Sequence, residues 1–182
     1  MLKSRAFRWA LLLIVALVVG YAGVRFGRSL RSPATTAEEI PFPFRPGDRF
    51  PSVALADSLG TLTTSDALVA SHGAVVLFLD PTCEGCTDMS IRWEHTMADG
   101  FFDPSRVFGI SRATDDANRA YRAANHLSFP IYRDTEDVFF QQHGVVSYPL
   151  EIVVGQSGMI QSLSDDSMSP VDADEIRRLM AQ

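Results

Sequence analysis

Cysteine is scarce in this chain of 182 residues, which has only Cys83 and Cys86, three positions apart. A complete zinc site of the usual kind is disfavoured, because four ligands normally require a second Cys/His pair and none is suitably spaced. We therefore favour a redox dithiol over two buried structural thiols or half of a zinc site.

Basic side chains are also scarce outside the N-terminus. Residues 1–31 contain six of the 16 basic side chains and none of the 22 acidic ones, so the remainder has ten basic against 22 acidic side chains and a net charge near −12. An acidic body that lacks a basic patch interleaved with aromatic residues is a poor nucleic-acid binder. No nucleic-acid partner is expected.

Long apolar runs are confined to residues 9–24, which are uncharged and would span about 24 Å as a helix. Trp9 and Tyr21 suit the two membrane interfaces, so we favour an uncleaved transmembrane anchor over a cleaved signal peptide. Either would export the rest of the chain to an oxidising compartment. We assign residues 1–28 to the anchor or signal, 29–46 to a spacer and 47–182 to a folded domain.

The two cysteines stand where a redox dithiol would be activated. They follow the apolar run Ala74–Leu79, which predicts a strand buried on both faces, and they open a segment with Met89, Trp93 and Met97 at helical spacing. A sulfur at a helix N-terminus meets unpaired N–H groups and the positive end of the helix dipole, which stabilise its thiolate. Cys83 is therefore the predicted nucleophile.

Strand and helix signals alternate through the rest of the body, which predicts an α/β fold with a mixed central sheet and helices on both faces. The predicted strands are 53–56, 62–63, 74–79, 107–111, 150–154 and 159–163, and the predicted helices are 65–70, 83–97, 115–125, 135–143 and a last one capped by Ser169. In helix 115–125 the predicted inward positions are Ala117, Ala120, Tyr121 and Ala124. Arg112, Asp115 and Asp116 are expected to be solvated charges.

The body resembles the thioredoxin-like superfamily, particularly its membrane-tethered extracytoplasmic branch of TlpA-type and cytochrome c maturation thiol-disulfide oxidoreductases. The resemblance rests on the entry Gly47–Pro51 with its hairpin, the strand leading into Cys83–Cys86, Tyr148-Pro149 before a strand, and the redoxin-like stretch 129–158. The form Pro-Thr-Cys-x-x-Cys at 81–86 is similar to that of proteins that assist maturation of methylamine dehydrogenase. A thioredoxin fold with an N-terminal hairpin extension is implied.

The resemblance also implies roles for individual residues. Cys83 attacks a client disulfide and Cys86 resolves the mixed disulfide. Pro149 is the cis-proline beside the dithiol, and the backbone of Tyr148 pairs with an extended substrate segment. Glu84 either tunes the redox pair by disfavouring the thiolate or only complements the helix dipole.

The sequence departs from cytoplasmic thioredoxins at three places near the dithiol. Thr82 stands in place of the tryptophan before the first cysteine, Glu84-Gly85 stands in place of Gly-Pro between the two cysteines, and Leu77 occupies the position of a buried aspartate. Asp80 is closer to the dithiol, but it follows the strand and is expected to cap a turn. The proton-relay role of the thioredoxin aspartate therefore has no counterpart at position 77.

We expect a protein thiol-disulfide oxidoreductase held in the cytoplasmic membrane by a single span, with its catalytic domain facing the periplasm. Its expected partners are a disulfide-containing client protein and a membrane-bound or soluble thiol electron donor, and no cofactor or resident metal is expected.

The alternative is a thioredoxin-fold copper-binding protein that uses Cys83, Cys86 and His143, since soft thiolates select Cu(I). A peroxidase would need a Pro-x-x-x-Thr-x-x-Cys arrangement, whereas here Thr82 directly precedes Cys83.

Overall fold

A seven-stranded mixed sheet forms the centre of the protein, and the computed structural model describes residues 43–70, 72–100, 102–165 and 171–182. The strands are β1 (Ala54–Ala56), β2 (Leu62–Thr64), β3 (Ala74–Phe78), β4 (Val107–Ser111), β5 (Ile131–Asp134), β6 (Leu150–Val154) and β7 (Ile160–Ser164). They lie in the order β2-β1-β5-β4-β3-β6-β7. The β3–β4 and β4–β5 pairs are parallel and the other neighbours are antiparallel.

Helices pack on both faces of this sheet. They are α1 (Ser65–Val69), α2 (Glu84–Ala98), α3 (Asp115–Ala124) and α4 (Ala173–Met180), together with a 3₁₀ turn at Pro104–Arg106 and a π-helical turn at Val138–Gln142. One cluster of buried side chains joins the sheet to α2, α3 and α4, and a second joins it to α1 and the π-helical turn. The predicted mixed sheet with helices on both faces is thus confirmed.

The central strand β3 shows why its sequence is continuously apolar. Val76 and Phe78 belong to one buried cluster, while Val75 and Leu77 belong to the other. Successive side chains of a strand point to opposite faces, so a strand covered on both sides needs apolar residues at every position. All five residues of β3 are buried.

The segment before β1 runs along β7. Backbone bonds join Gly47 N to Ile160 O and Phe50 N to Gly158 O, at 2.8 and 2.9 Å. Phe44, which the sequence places in the spacer, is buried and lies 6.4 Å from the ring centroid of Phe78. The packed body therefore begins before residue 47, because this ring fills part of the core.

The predicted inward face of α3 is wrong in part. Tyr121 is buried and Ala117 half-buried, but Ala120 and Ala124 are exposed, and Asn118 takes the second buried position. Alanine carries too little apolar surface to fix which side of a helix faces the core. The tyrosine ring and its hydroxyl, which contacts Ser90 Oγ at 3.0 Å, set the rotation instead.

The predicted cap of the last helix is also wrong. The helix begins at Ala173, and Asp172 is its N-cap, with the carboxylate accepting the Glu175 N–H at 2.9 Å. Aspartate caps helices as well as serine does, so a sequence with both residues offers two possible starts. Ser169 itself lies outside the described residues.

The order of elements from β3 to α4 is that of a thioredoxin-like fold, with the antiparallel hairpin β1–β2 added at the β5 edge. The predicted N-terminal hairpin extension is therefore present. Among the residues that the structure describes, no helix is both long and apolar enough to span a bilayer. The predicted anchor at 1–28 lies outside those residues.

Candidate active site

Cys83 sits at the start of α2, where the sequence predicts the nucleophile. It is the N-cap residue of this 15-residue helix, with extended backbone angles, and its Sγ accepts the Cys86 N–H at 3.1 Å. Its side chain is half-buried. A sulfur that already accepts a helix N–H is placed to be stabilised as a thiolate when it is reduced.

Cys86 is fully buried one turn further along α2 and forms a disulfide with Cys83. The Asp80 N–H points at Cys86 Sγ from 3.5 Å. The two sulfurs therefore differ in access, since only Cys83 has part of its surface in contact with solvent. This asymmetry suits a nucleophile and a resolving thiol.

The turn between β3 and the dithiol is held by Asp80, as the sequence predicts for a turn cap. Its Oδ1 accepts both the Thr82 N–H, at 2.8 Å, and the Thr82 hydroxyl, at 2.6 Å. These hydrogen bonds, with a smaller contribution from the Arg112 charge, hold the pKa of Asp80 below its usual value. Asp80 is therefore a charged, turn-fixing group beside the sulfurs.

The Tyr148–Pro149 peptide bond is cis. Pro149 is buried directly before β6. Tyr148 is half-buried and packs against the buried cluster that contains Cys86, and Cys83 packs against the same cluster. Burial raises the pKa of Tyr148 to about 12. The structure thus brings Tyr148 and Pro149 to the same end of the sheet as Cys83 and Cys86.

Sheet order explains this juxtaposition. Phe78 pairs with Ile110 in the parallel β3–β4 ladder and with Leu150 in the antiparallel β3–β6 ladder. Extending both registers two residues beyond Phe78 puts Arg112 and Tyr148 on either side of Asp80. Arg112 and Asp116 are exposed, as predicted for solvated charges, whereas Asp115 is partly buried and pairs with Arg133 at 2.8 Å.

Glu84 is the first residue of α2 and is exposed. Its carboxylate therefore lies at the positive end of the helix, which fits its contribution to the helix dipole. Its role in redox tuning remains a prediction.

Leu77 is buried, and its antiparallel partner on β6 is Glu151. Glu151 Oε2 accepts the Trp93 indole N–H at 2.7 Å and lies 3.3 Å from Arg92. Burial raises the pKa of this carboxyl, against the hydrogen bond from Trp93 and the Arg92 charge. Sequence reasoning missed Glu151, although a lone acid in the run Leu150–Val154 was a signal.

His143 packs between the rings of Phe44 and Phe139, at centroid distances of 5.8 and 5.9 Å. Within the described ranges, no three His, Cys, Asp or Glu side chains are grouped to hold a metal ion.

A thioredoxin-like sheet that presents a half-buried and a buried cysteine at one helix N-terminus defines a redox enzyme. A family model for the AhpC/TSA family matches residues 46–163, and the chain belongs to this family. No curated protein sequence matches the chain.

Solved structures of redox proteins share the fold at 14–19% sequence identity. Peroxidoxin BcpB from Mycobacterium tuberculosis, at 18% identity, is similar over 75% of this chain and 96% of its own, with a TM-score of 0.61. A secreted disulfide oxidoreductase of the same organism, homologous to E. coli DsbE, is similar at 19% identity over 70% and 93%, with a TM-score of 0.54. The thioredoxin domain of a thiol-disulfide oxidoreductase from Bacteroides vulgatus is similar at 14% identity over 75% and 99%, with a TM-score of 0.61.

Proposed function

We propose that the protein is a thiol-disulfide oxidoreductase that reduces or isomerises disulfides of a client protein outside the cytoplasm. The observation that carries this proposal is the unequal access of the two sulfurs beside a cis-proline. Cys83 is half-buried at a helix N-terminus, Cys86 is fully buried, and Pro149 lies at the same end of the sheet.

The reaction starts from the reduced dithiol. The Cys83 thiolate attacks one sulfur of a client disulfide, a new S–S bond forms, and the other client sulfur leaves as a thiolate that takes up a proton. Cys86 then loses its proton and attacks Cys83 Sγ, which releases the second client thiol. The client gains two electrons and two protons, and a thiol electron donor returns them to the Cys83–Cys86 disulfide.

The client is held as an extended segment against the backbone of Tyr148. At this end of the sheet, just before β6 begins, an extended client segment can make main-chain hydrogen bonds with Tyr148 whatever the client sequence. The anchor at residues 1–28 keeps the domain on the periplasmic side of the cytoplasmic membrane, where clients contain disulfides. The Pro-Thr-Cys-x-x-Cys form at 81–86 supports comparison with the proteins that mature methylamine dehydrogenase.

Trapping tests this proposal in the host cell. Cys86→Ser removes the resolving sulfur, so the full chain should accumulate a mixed disulfide through Cys83 that disappears on reduction. The matched control Cys83→Ser should form none. Absence of any adduct with Cys86→Ser, together with no reduction of insulin by the wild type, would refute the enzyme we propose.

Peroxide reduction is the second candidate, and the AhpC/TSA match and the likeness to a peroxidoxin favour it. In that reaction the Cys83 thiolate attacks one peroxide oxygen, the O–O bond breaks, and the other oxygen leaves as an alkoxide or hydroxide that takes up a proton. Cys83 becomes a sulfenic acid, which the Cys86 thiol converts to the disulfide with loss of water. The Pro-x-x-x-Thr-x-x-Cys arrangement would need proline at 76 and threonine at 80, where this chain has Val76 and Asp80. Peroxide consumption with a supplied thiol reductant discriminates between the two candidates.

A further inference from the structure

Arg112 is a cation at the end of the sheet that carries the dithiol. It follows β4 directly, and the Leu79 N–H, which bonds Ile110 O at 2.9 Å, holds the ends of β3 and β4 together. Extending both ladder registers by two residues puts Arg112 and Tyr148 on the two sides of Asp80, and the Arg112 charge acts on both Asp80 and Tyr148. Arg112 is therefore close enough to Tyr148 for its charge to act on what binds there.

The Arg112 side chain lies over an aromatic ring, and its charge also acts on Asp80. Its guanidinium carbon lies 6.0 Å from the ring centroid of Phe140, whose ring in turn lies 5.8 Å from that of Tyr148. Within the described part of the chain, the ion pairs use Arg92, Arg119, Arg133 and Arg177, and none uses Arg112. The residue as a whole is exposed to solvent.

The Arg112 charge lowers the pKa of Asp80, but the two side chains, both among the described residues, form no ion pair, and Asp80 Oδ1 accepts both hydrogen bonds from Thr82. The guanidinium of an exposed arginine can bind a carboxylate with two parallel N–H donors. Strands lie about 4.8 Å apart, so the backbones of Arg112 and Tyr148 are roughly 10 Å apart across the sheet, a gap that the side chains of Arg112 and a client glutamate can bridge together. Along the client, about three extended residues on either side of its cysteine cover a similar distance.

We propose that Arg112 binds a carboxylate of the client, an aspartate or glutamate within about three residues of the client's reactive cysteine. This inference rests on the proposed function, because it names what the same site recognises. It makes the enzyme selective for disulfides with an acidic neighbour. Arg112 is a specificity-determining residue and not part of the sulfur chemistry.

The test measures how each of several enzyme variants reduces each of several peptide substrates. The probes are disulfide-bonded peptides that are identical except for one Glu or Gln placed at each position within three residues of the reactive cysteine. Rates of peptide reduction are measured for the full-length wild type, Arg112→Gln and Arg119→Gln. Arg119 is a suitable control, because it is an arginine in an exposed ion pair with Asp116 and bonds the Ser58 carbonyl of the β1–β2 turn.

For each enzyme we divide kcat/KM for the Glu peptide by kcat/KM for the matching Gln peptide. At one or more of the probed positions this ratio should be about three- to fivefold higher for the wild type than for Arg112→Gln, as for other partly exposed ion pairs. Arg119→Gln should keep the wild-type ratio, and added salt should shrink the difference. A substitution that only disturbed the fold would slow both peptides equally and leave the ratio unchanged.

Equal ratios in the wild type and Arg112→Gln at every position would overturn the inference while leaving the oxidoreductase intact. The inference would also be overturned if Arg112→Gln lowered kcat/KM equally for the Glu and Gln peptides and shifted the pKa of the Cys83 thiol. In that case Arg112 would act on the thiolate and not on the client. Failure of the wild type to reduce any of the peptides, with no trapped Cys83 adduct, would instead remove the proposed function itself.

Discussion

At the scale of single residues, Glu151 is a buried side chain whose carboxyl group can ionise. Its carboxylate lies on the face of β6 that packs against α2, where Trp93 donates to it and Arg92 lies at 3.3 Å. Removing a carboxylate from water disfavours its charged form, and here this effect raises the pKa of Glu151. The folded protein therefore holds this proton more tightly than the unfolded chain does.

Glu151→Gln should change the pH dependence of stability. In the wild type, the cost of the buried charge appears as pH rises above the unfolded value near 4.5 and is complete above the raised folded pKa. Glutamine accepts the Trp93 hydrogen bond but never ionises. The free energy of unfolding of Glu151→Gln relative to wild type should therefore rise with pH across this window, by about 1.4 kcal/mol for each unit of difference between the folded and unfolded pKa.

Urea unfolding of the oxidised full chain between pH 4.5 and 8 measures this difference. Glu136→Gln removes an exposed carboxylate and controls for the loss of one negative charge. A difference between Glu151→Gln and wild type that stays constant with pH would contradict the account of Glu151.

The sequence predicted some site residues and not others for a physical reason. Cys83, Cys86 and Pro149 carry unusual chemistry, so residue type and local spacing are enough to select them. Arg112 and Glu151 are ordinary residue types, and their importance comes from neighbours on other strands. Those neighbours are set by the register of β4, β3 and β6, which no local pattern contains.

At the scale of elements, the start of α2 joins the fold to the chemistry. The Cys86 N–H donates to Cys83 Sγ, so the side chain that would react also caps the helix. A cap of this kind satisfies one of the N–H groups that a helix leaves unpaired at its N-terminus. The same N–H group is the local source of thiolate stabilisation.

Replacing the sulfur by a better or a worse acceptor tests this cap. We compare Cys83→Ser with Cys83→Ala, each combined with Cys86→Ala so that neither protein has a disulfide or a free thiol. Serine should cap and alanine should not, so the serine protein should be more stable by about 1 kcal/mol in urea unfolding, with the same denaturant slope. Equal stability would mean that residue 83 does not cap α2.

The six predicted strands all lie within one residue of their observed bounds. Strand β5 was not predicted, because its sequence Ile-Tyr-Arg-Asp contains neither a continuous nor an alternating apolar run. The predicted helix 135–143 shortens to a π-helical turn at Val138–Gln142, where the buried Asp134 carboxylate accepts the Phe139 N–H at 2.7 Å. A side-chain cap of this kind is invisible to a periodicity argument.

At the scale of the whole molecule, the candidate site is assembled from three segments that are far apart in sequence. The β3–α2 junction brings Cys83 and Cys86, the end of β4 brings Arg112, and the entry to β6 brings Pro149. Their meeting requires the complete sheet, because β3 lies between β4 and β6. The alternation of strands and helices predicted the fold class, but bringing these three segments to one end of the sheet depends on the strand order.

The central claim is that Cys83 and Cys86 form a reversible redox couple in the folded protein, and a redox titration tests it most directly. The full-length protein is equilibrated in glutathione or dithiothreitol buffers of graded potential, its free thiols are alkylated, and the fraction with two added groups is measured by mass spectrometry. We predict one two-electron transition, with a tenfold change per roughly 30 mV, at a midpoint between about −270 and −120 mV. A value near the lower limit favours a reductant, whereas a pair that stays oxidised until the protein unfolds, or that never returns to the disulfide, would contradict the claim.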